Sequence, residues 1–412
     1  RQMCIRDRIY TMYKREAQIM EKFIPLSIPN FEGNEKKYVL DAVEQGWVST
    51  GGAYITTLEN KLAEYLNIAG AVACQSGTSA LHLALMECNV GPGDMVIVPT
   101  LTFIAAVNPV KYQFATPIFM DCDDSLCMDP IKLEQFCRVE CEIKKDVLVH
   151  KKTGQIIKAV VIVHVFGNLA NMERIMEIAD TYHLKVIEDA TEALGSRFLE
   201  GKYRGKMAGT IGDFGAYSFN GNKIITTGGG GAVVAQNEEK LEHIKYISTQ
   251  AKDDAIFYVH KEIGYNYRMT NLQAALGVAQ LENLPEFIER KNRNYDFYQE
   301  CFENMSIGKL LPFREGTYSN KWFYAFEILG EITKKKSVKE IVQQLDKKGV
   351  QTRPIWGLIH EQWPYKDEEA YKIDKAEYYR DRIINIPCST CIGKEEIETV
   401  AAALRDVLNT EI

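Results

Sequence analysis

Three stretches of the chain combine residue types and spacing that could do chemistry. In Val186-Ile187-Glu188-Asp189-Ala190 a buried apolar run ends in two acids. That places carboxylates at a strand's carboxyl end, where open α/β sheets bind their ligands. A lone buried charge is costly, so Asp189 requires a positive partner: a protonated cofactor ring nitrogen, an Arg or Lys, or a metal ion. Helix capping is the simpler alternative. Further on, Tyr217-Ser218-Phe219-Asn220-Gly221-Asn222-Lys223 leads into Thr226-Thr227 and the glycines Gly228 to Gly231. A lysine shifted toward neutrality in a confined site is an imine-forming nucleophile; the alternative is an exposed loop lysine. The third stretch, Gln75-Ser76-Gly77-Thr78-Ser79-Ala80-Leu81, joins a strand to a helix. Its small residues let N–H groups at a helix start approach an anion, or simply form a tight turn capped by Thr78. It matches neither the Walker loop nor the GxGxxG fingerprint.

The elements that must position these residues follow from hydrophobic period. Helices are predicted over 54–67, 78–88, 104–112, 172–182 and 271–290. Short β-branched runs fall at 71–74, 95–98, 117–121, 159–163, 185–188, 214–218 and 231–235. Strands apolar on both faces, alternating with helices, imply a mainly parallel sheet covered by helices. Between Leu133 and Lys158 a Lys-rich stretch reads as a surface hairpin with its turn at Lys152-Thr153-Gly154. A strand at 321–329 and helices at 338–348 and 394–408 form a smaller α+β unit. The expected division is a leader over 1–22, a large domain over 23–290 and a small C-terminal domain over 291–412. The opening RQMCIRDR is adapter-like, read as non-native and set aside.

A chain of 412 residues, 46% hydrophobic and 25% charged, is a folded globular protein rather than a disordered or coiled-coil one. Lys and Arg number 49 against 56 Asp and Glu, for a net charge of −7. No global positive field therefore invites nucleic acid or an acidic membrane surface. Ten scattered cysteines show no zinc-ligand spacing, so no metal site and a reducing cytoplasm are expected. Apolar runs are strand-sized and no signal peptide is read, so no membrane role is expected.

Taken together, the motifs resemble the DegT/DnrJ/EryC1/StrS family of pyridoxal-phosphate-dependent sugar aminotransferases, from about Phe23 to Leu408. The matching pieces are Gly46-Trp47-Val48-Ser49-Thr50-Gly51, Ser76 to Leu81, Pro99-Thr100-Leu101-Thr102-Phe103, Glu188-Asp189-Ala190, Ser218-Phe219 with Lys223, Gly264 to Asn271, and Thr352-Arg353-Pro354. The resemblance implies an α/β, fold type I transferase working as a homodimer with active sites at the subunit boundary. It implies that Lys223 carries pyridoxal 5'-phosphate covalently and that Asp189 pairs with the ring nitrogen. Phe103 would stack on the ring, while Ser218, Gly77 and Thr78 hold the phosphate and Asn266 reaches it from the partner chain. Glu192 stands near the cofactor's phenolic oxygen, where many relatives carry Gln. Trp47, Ser49 and Thr50 would line the sugar pocket, Arg268 and Arg353 would meet the diphosphate, and His360 would cover the entrance. His164 reads as a pocket-lining or core histidine.

Family members that remove a sugar hydroxyl carry His where Lys223 stands, so the resemblance implies transamination rather than dehydration. A non-catalytic regulator of the same fold would be free to lose Asp189, Lys223 or Asn266, and all three are present. The loop Ser218 to Thr227 and the Lys-rich hairpin are similar to the legionaminic acid and bacillosamine branch. That implies transfer from glutamate to C4 of a UDP-linked 4-keto-6-deoxy-N-acetylhexosamine for surface glycans. A perosamine-type enzyme acting on a GDP-linked 4-keto-6-deoxy sugar is the alternative.

Overall fold

The computed structural model describes residues 23–254, 256–303 and 305–409; the leader expected over 1–22 lies outside the described residues. Its centre is a ten-stranded sheet. The strands Phe214–Ser218, Lys185–Asp189, Ile156–Val163, Met95–Pro99 and Thr116–Met120 run parallel in that order, and Ala370–Tyr371 adds a short parallel edge. Gly231–Ala235 then turns antiparallel between Phe214–Ser218 and Gly70–Cys74. Met95–Pro99 is buried along its whole length, as a strand covered on both faces must be. Each fully buried Val or Ile on it contributes about 1.5–3 kcal/mol. The parallel strands end together at Ser218 and Asp189, and Gly70–Cys74, antiparallel to Gly231–Ala235, runs the same way and ends at Cys74, so the three chemistry-bearing stretches leave the sheet at its carboxyl end.

The helix expected over 104–112 is two pieces, a 3-10 turn Ile104–Ala106 and a helix Asn108–Tyr112. Pro109 sits in the first turn of the second, where its missing N–H costs nothing. The Lys-rich stretch carries more structure than one hairpin. Asp129 caps a helix Pro130–Glu140 by accepting from the Ile131 and Lys132 N–H groups at 2.8 and 3.4 Å, and Leu133, Phe136 and Cys137 are its buried face. Strands Cys141–Lys144 and Val147–His150 follow, and the second pairs antiparallel with Ile156–Val163 across the turn at 151–154.

The helix expected to stop near Arg290 runs from Asn271 to Phe302. Thr270 and Gln273 close a capping box at its start, and buried Lys291, Tyr295, Tyr298 and Phe302 prolong the packed face by helical spacing. This helix packs against Glu35–Glu44 and Ala53–Leu66 on one side and Lys394–Leu408 on the other. A second, antiparallel sheet holds Gly308–Leu310, Tyr324–Ile328, Ile383–Ile386 and Arg353–Pro354 in that order. Its strand begins at Tyr324 rather than Lys321 because Lys321 takes a left-handed backbone at φ +47°.

Candidate active site

Between the carboxyl edge of the large sheet and the small sheet lies a cavity of about 730 Å³. Gly77, Thr78, Phe103, Asp189, Glu192, Ser218, Lys223 and Arg353 all border it. Ser76 caps the helix Gly77–Glu87 by accepting from the Ser79 N–H at 3.1 Å. The N–H groups of Gly77 and Thr78 fall in the first turn, where no intrahelical partner exists. A Cβ on Gly77 would come within 2.9 Å of the Ser218 Cβ and 3.0 Å of the Thr191 Cγ2, so only glycine lets the helix start approach Ser218 this closely. Gly231 is required for a different reason. A Cβ there would meet the Ser76 carbonyl carbon at 2.5 Å. The glycine run thus lets strand and helix start touch.

Asp189 ends its strand buried, and its Oδ1 accepts one N–H, that of Thr191, at 3.1 Å. Burial pushes its carboxyl above the usual range, opposed by hydrogen bonding from Thr191 and the positive charge of Lys223. Glu192 is buried too, and burial pushes it up to about 7 against the pull of Lys223 and the Phe166 N–H. Its Oε2 accepts that N–H at 2.8 Å, and its Oε1 stands 3.7 Å from the Lys223 amine. Lys223 Nζ also lies 4.1 Å from the centre of the Trp322 ring. The loop carrying Lys223 is tied by Trp322, whose Nε1 donates to the Asn222 carbonyl at 2.7 Å. Trp322 stacks on Phe323 at 3.9 Å, and Asn320 Nδ2 donates to the Glu192 and Leu194 carbonyls at 3.0 Å.

The donor set fits pyridoxal phosphate. A helix start and a hydroxyl suit a phosphate, a buried carboxyl suits a basic ring nitrogen, and an amine suits a carbonyl. Phe103, 56% exposed although apolar, presents a bare face to the cavity.

Other expected residues lie elsewhere. Asn266 bridges to Thr249, and Arg268 to Cys74, on an extended segment that also accepts the Gln75 N–H at the Tyr267 carbonyl. Neither borders the cavity. Trp47, Ser49 and Thr50 also lie off the cavity. The Trp47 and Ser49 carbonyls accept from Asn271 at 2.7 and 2.6 Å, which fastens their loop to a helix start. His360 Nδ1 is 2.6 Å from the Thr100 hydroxyl and braces the turn after Met95–Pro99. His164 is a core residue, with Nε2 2.9 Å from Glu188 and Nδ1 accepting the Ala170 N–H. Trp322, Trp356 and Asn385 also border the cavity and were not expected there. They come from the small sheet's loops and strands, where local sequence carries no pocket signal. Among the described residues, no group of side chains could hold a metal ion and no helix is long and apolar enough to cross a membrane.

A model of the DegT/DnrJ/EryC1/StrS aminotransferase family matches residues 29–405. GDP-perosamine synthase of Escherichia coli O157:H7 is 37% identical, over 93% of this chain and 98% of its own length. A UDP-N-acetyl-3-dehydro-alpha-D-glucosamine 3-aminotransferase of Acidithiobacillus ferrooxidans is 30% identical, over 85% and 88%. Among solved structures, a DegT DnrJ EryC1 StrS aminotransferase from Brucella abortus is 26% identical and superposes with a TM-score of 0.81, covering 92% of this chain and 96% of that one. The Streptococcus pneumoniae protein Spr1654, solved in a PLP form, is 25% identical with a TM-score of 0.81, over 93% and 98%. With its parallel sheet, its buried acid and its loop lysine in one cavity, this chain belongs to the DegT/DnrJ/EryC1/StrS aminotransferase family and is a pyridoxal-phosphate-dependent sugar aminotransferase.

Proposed function

We propose that the protein transfers the amino group of glutamate to C4 of a nucleotide-linked 4-keto-6-deoxyhexose for surface glycan synthesis. The observation that carries the chemistry is the meeting of Lys223, Glu192 and Asp189 in one cavity. Bound there, pyridoxal phosphate supplies an electron sink for the C–H bond broken in transamination. Lys223 supplies the amine that holds the cofactor and then carries a proton between carbon atoms as general acid and base. Asp189 keeps positive charge on the ring nitrogen, and Ser218 with the Gly77 and Thr78 N–H groups holds the phosphate. Glu192 holds a proton beside the Lys223 amine, and Trp322 and Phe323 exclude water from the wall behind it.

The loop Ser218 to Thr227 supports a UDP-linked N-acetylhexosamine. The second reading is a GDP-linked sugar without the acetamido group, favoured by the near full-length likeness to GDP-perosamine synthase. Either anion requires local cations on an acidic protein, and among the described residues Arg353 is the arginine that borders the cavity. Asn266 and Arg268, lying off the cavity, fit a role in the partner's site within a homodimer. Beside them Ile256, Phe257, Tyr258 and Ile263 are more than 70% exposed, an apolar surface suited to a second copy. The same reading assigns cofactor chemistry to 23–290 and the cavity's outer wall to 291–412, in a cytoplasmic enzyme whose nine described thiols are all unpaired. Incubation with UDP- and GDP-linked 4-keto-6-deoxy sugars and glutamate tests the choice. A catalytic efficiency for the GDP sugar equal to or above that for the UDP sugar rejects the first reading, and no amino transfer to either rejects both.

A further inference from the structure

Six buried side-chain atoms among the described residues lack a hydrogen-bond partner: Glu35 Oε2, His150 Nε2, Tyr298 Oη, Thr352 Oγ1, Tyr371 Oη and Asn385 Oδ1. Only Asn385 borders the cavity. Buried polar groups are nearly always paired, and leaving one unpaired forfeits its hydration without return. An orphan acceptor on the wall of a binding cavity is therefore paired when the ligand is in place.

The position of Asn385 is fixed by rigid neighbours. It lies on the strand Ile383–Ile386, flanked on one side by Ala325 and on the other by Arg353. Directly opposed residues of antiparallel strands project from the same face, so Asn385 and Arg353 stand side by side, and both reach the cavity. Arg353 donates to its neighbour's carbonyl, Thr352 O, at 3.0 Å, and no carboxylate among the described residues lies within ion-pairing distance of it. The wall thus carries one exposed cation without a carboxylate partner and, just behind its surface, one carbonyl oxygen without a donor.

Two ligands must use this cavity in turn, and their chemistry separates them. Glutamate brings carboxylates, which only accept hydrogen bonds, and an ammonium group that is spent at the reacting end beside Lys223. Its carboxylates can satisfy Arg353 and the donor side of the Asn385 amide, but they bring no proton for Asn385 Oδ1. A hexose carries O–H or N–H donors around its ring, which Oδ1 can accept. We propose that Asn385 is a specificity-determining residue that accepts a hydrogen bond from a hydroxyl or amide N–H of the acceptor sugar. This rests on the sugar-aminotransferase assignment and holds for either nucleotide.

The test uses the holoenzyme and follows its two half-reactions separately by cofactor absorbance, first with glutamate and then with whichever keto sugar the wild type turns over. Asn385→Leu keeps the volume and removes the acceptor, and it should raise the half-saturating sugar concentration about tenfold to a hundredfold. The glutamate half-reaction should not change, which also shows that the variant is folded. Calorimetric binding of the nucleotide-linked amino-sugar product should weaken by the same factor. An unchanged sugar half-reaction in Asn385→Leu overturns the proposal, as does a loss confined to glutamate or shared equally by both. If Asn385→Leu does not fold, Asn385→Ser, too short to reach the same donor, is read by the same criteria. A failure of the UDP-sugar reading would appear in the wild type, so it cannot be mistaken for a failure at Asn385.

Discussion

Glu188 and Asp189 are neighbours on one strand, and the protein treats them in opposite ways. Glu188 faces the core. Its oxygens accept from the N–H groups of Gly209, Ile211 and Gly212 at 2.9, 2.6 and 2.7 Å, and Oε2 lies 2.9 Å from His164. Burial would raise its pKa, but the His164 hydrogen bond, together with these N–H groups, holds it below the usual range. Asp189 faces the cavity with one N–H partner and a pKa raised by burial. Two lysines repeat the contrast. Lys291 Nζ donates to the Trp322 and Cys388 carbonyls at 2.6 Å, whereas Lys223 Nζ has its nearest carboxylate oxygen at 3.7 Å. In these two pairs the saturated group is structural, and the under-saturated one faces the cavity.

The largest effect is expected at the lysines. Lys223→Ala should abolish turnover and the cofactor's covalent absorbance band while leaving thermal stability near wild type. Lys291→Met should do the reverse, costing about 3 kcal/mol or more because two buried carbonyls lose their donor. Urea unfolding and steady-state rates measure both. Substantial activity in Lys223→Ala would break the contrast outright.

The acids come next. Asp189→Asn should lower the rate by orders of magnitude with little change in unfolding free energy, because a single accepted hydrogen bond can be kept by the amide oxygen. Glu188→Gln places an NH₂ group against backbone donors and should cost about 3 kcal/mol in stability. Its rate, measured below the shifted melting point, should stay within about tenfold of wild type. Near-normal activity in Asp189→Asn would demote that acid to a helix cap.

The contrast explains what could be read before the fold was known. Asp189, Lys223 and the Ser76 to Leu81 turn announce themselves because acid, lysine and small residues stand at ends of apolar strands, a local pattern. The parallel sheet was legible for the same reason. Trp322, Trp356 and Asn385 reach the cavity from the small sheet, more than 90 residues beyond Lys223, and their role depends on how two sheets meet. The placement of Trp47, Ser49, Asn266 and Arg268 off the cavity was equally invisible, since it is set by contacts with Asn271, Thr249 and Cys74. The helix Pro130–Glu140 escaped because exposed Ile131 and Val139 fall out of phase with buried Leu133, Phe136 and Cys137 and blur the helical period.

A pH titration of the cofactor-free protein sharpens the comparison. The folded pKa of Glu188 is below its ordinary 4.5, so its stabilisation is present above that value and lost as pH falls through the folded pKa. The folded pKa of Glu192 is raised from 4.5 to about 7, so the sign reverses. Its stabilisation is complete below 4.5 and is lost as pH rises through about 7, by at most about 3 kcal/mol. Denaturant unfolding should therefore show stability falling as pH rises to 7, with Asp189 adding to the same limb because its pKa is also raised, and Glu192→Gln should shrink that limb while leaving the acid limb in place. A limb unchanged in Glu192→Gln would assign it to another group.

The smallest effect should come from Trp322, which touches both classes of lysine. Its carbonyl saturates Lys291, its ring lies over Lys223, and its Nε1 fastens the Asn222 carbonyl in the loop that carries Lys223. Trp322→Phe keeps an aromatic face and the backbone carbonyl but removes the N–H. One neutral hydrogen bond is worth about 1 kcal/mol, so unfolding should shift by about that much and the rate by less than about tenfold. The loss should appear in both half-reactions alike, because a loosened loop misplaces the amine whichever substrate is bound. If Trp322→Phe instead matched the rate loss of Asp189→Asn, the indole N–H would have to act in the chemistry itself, and saturation by a backbone carbonyl would no longer mark a group as structural.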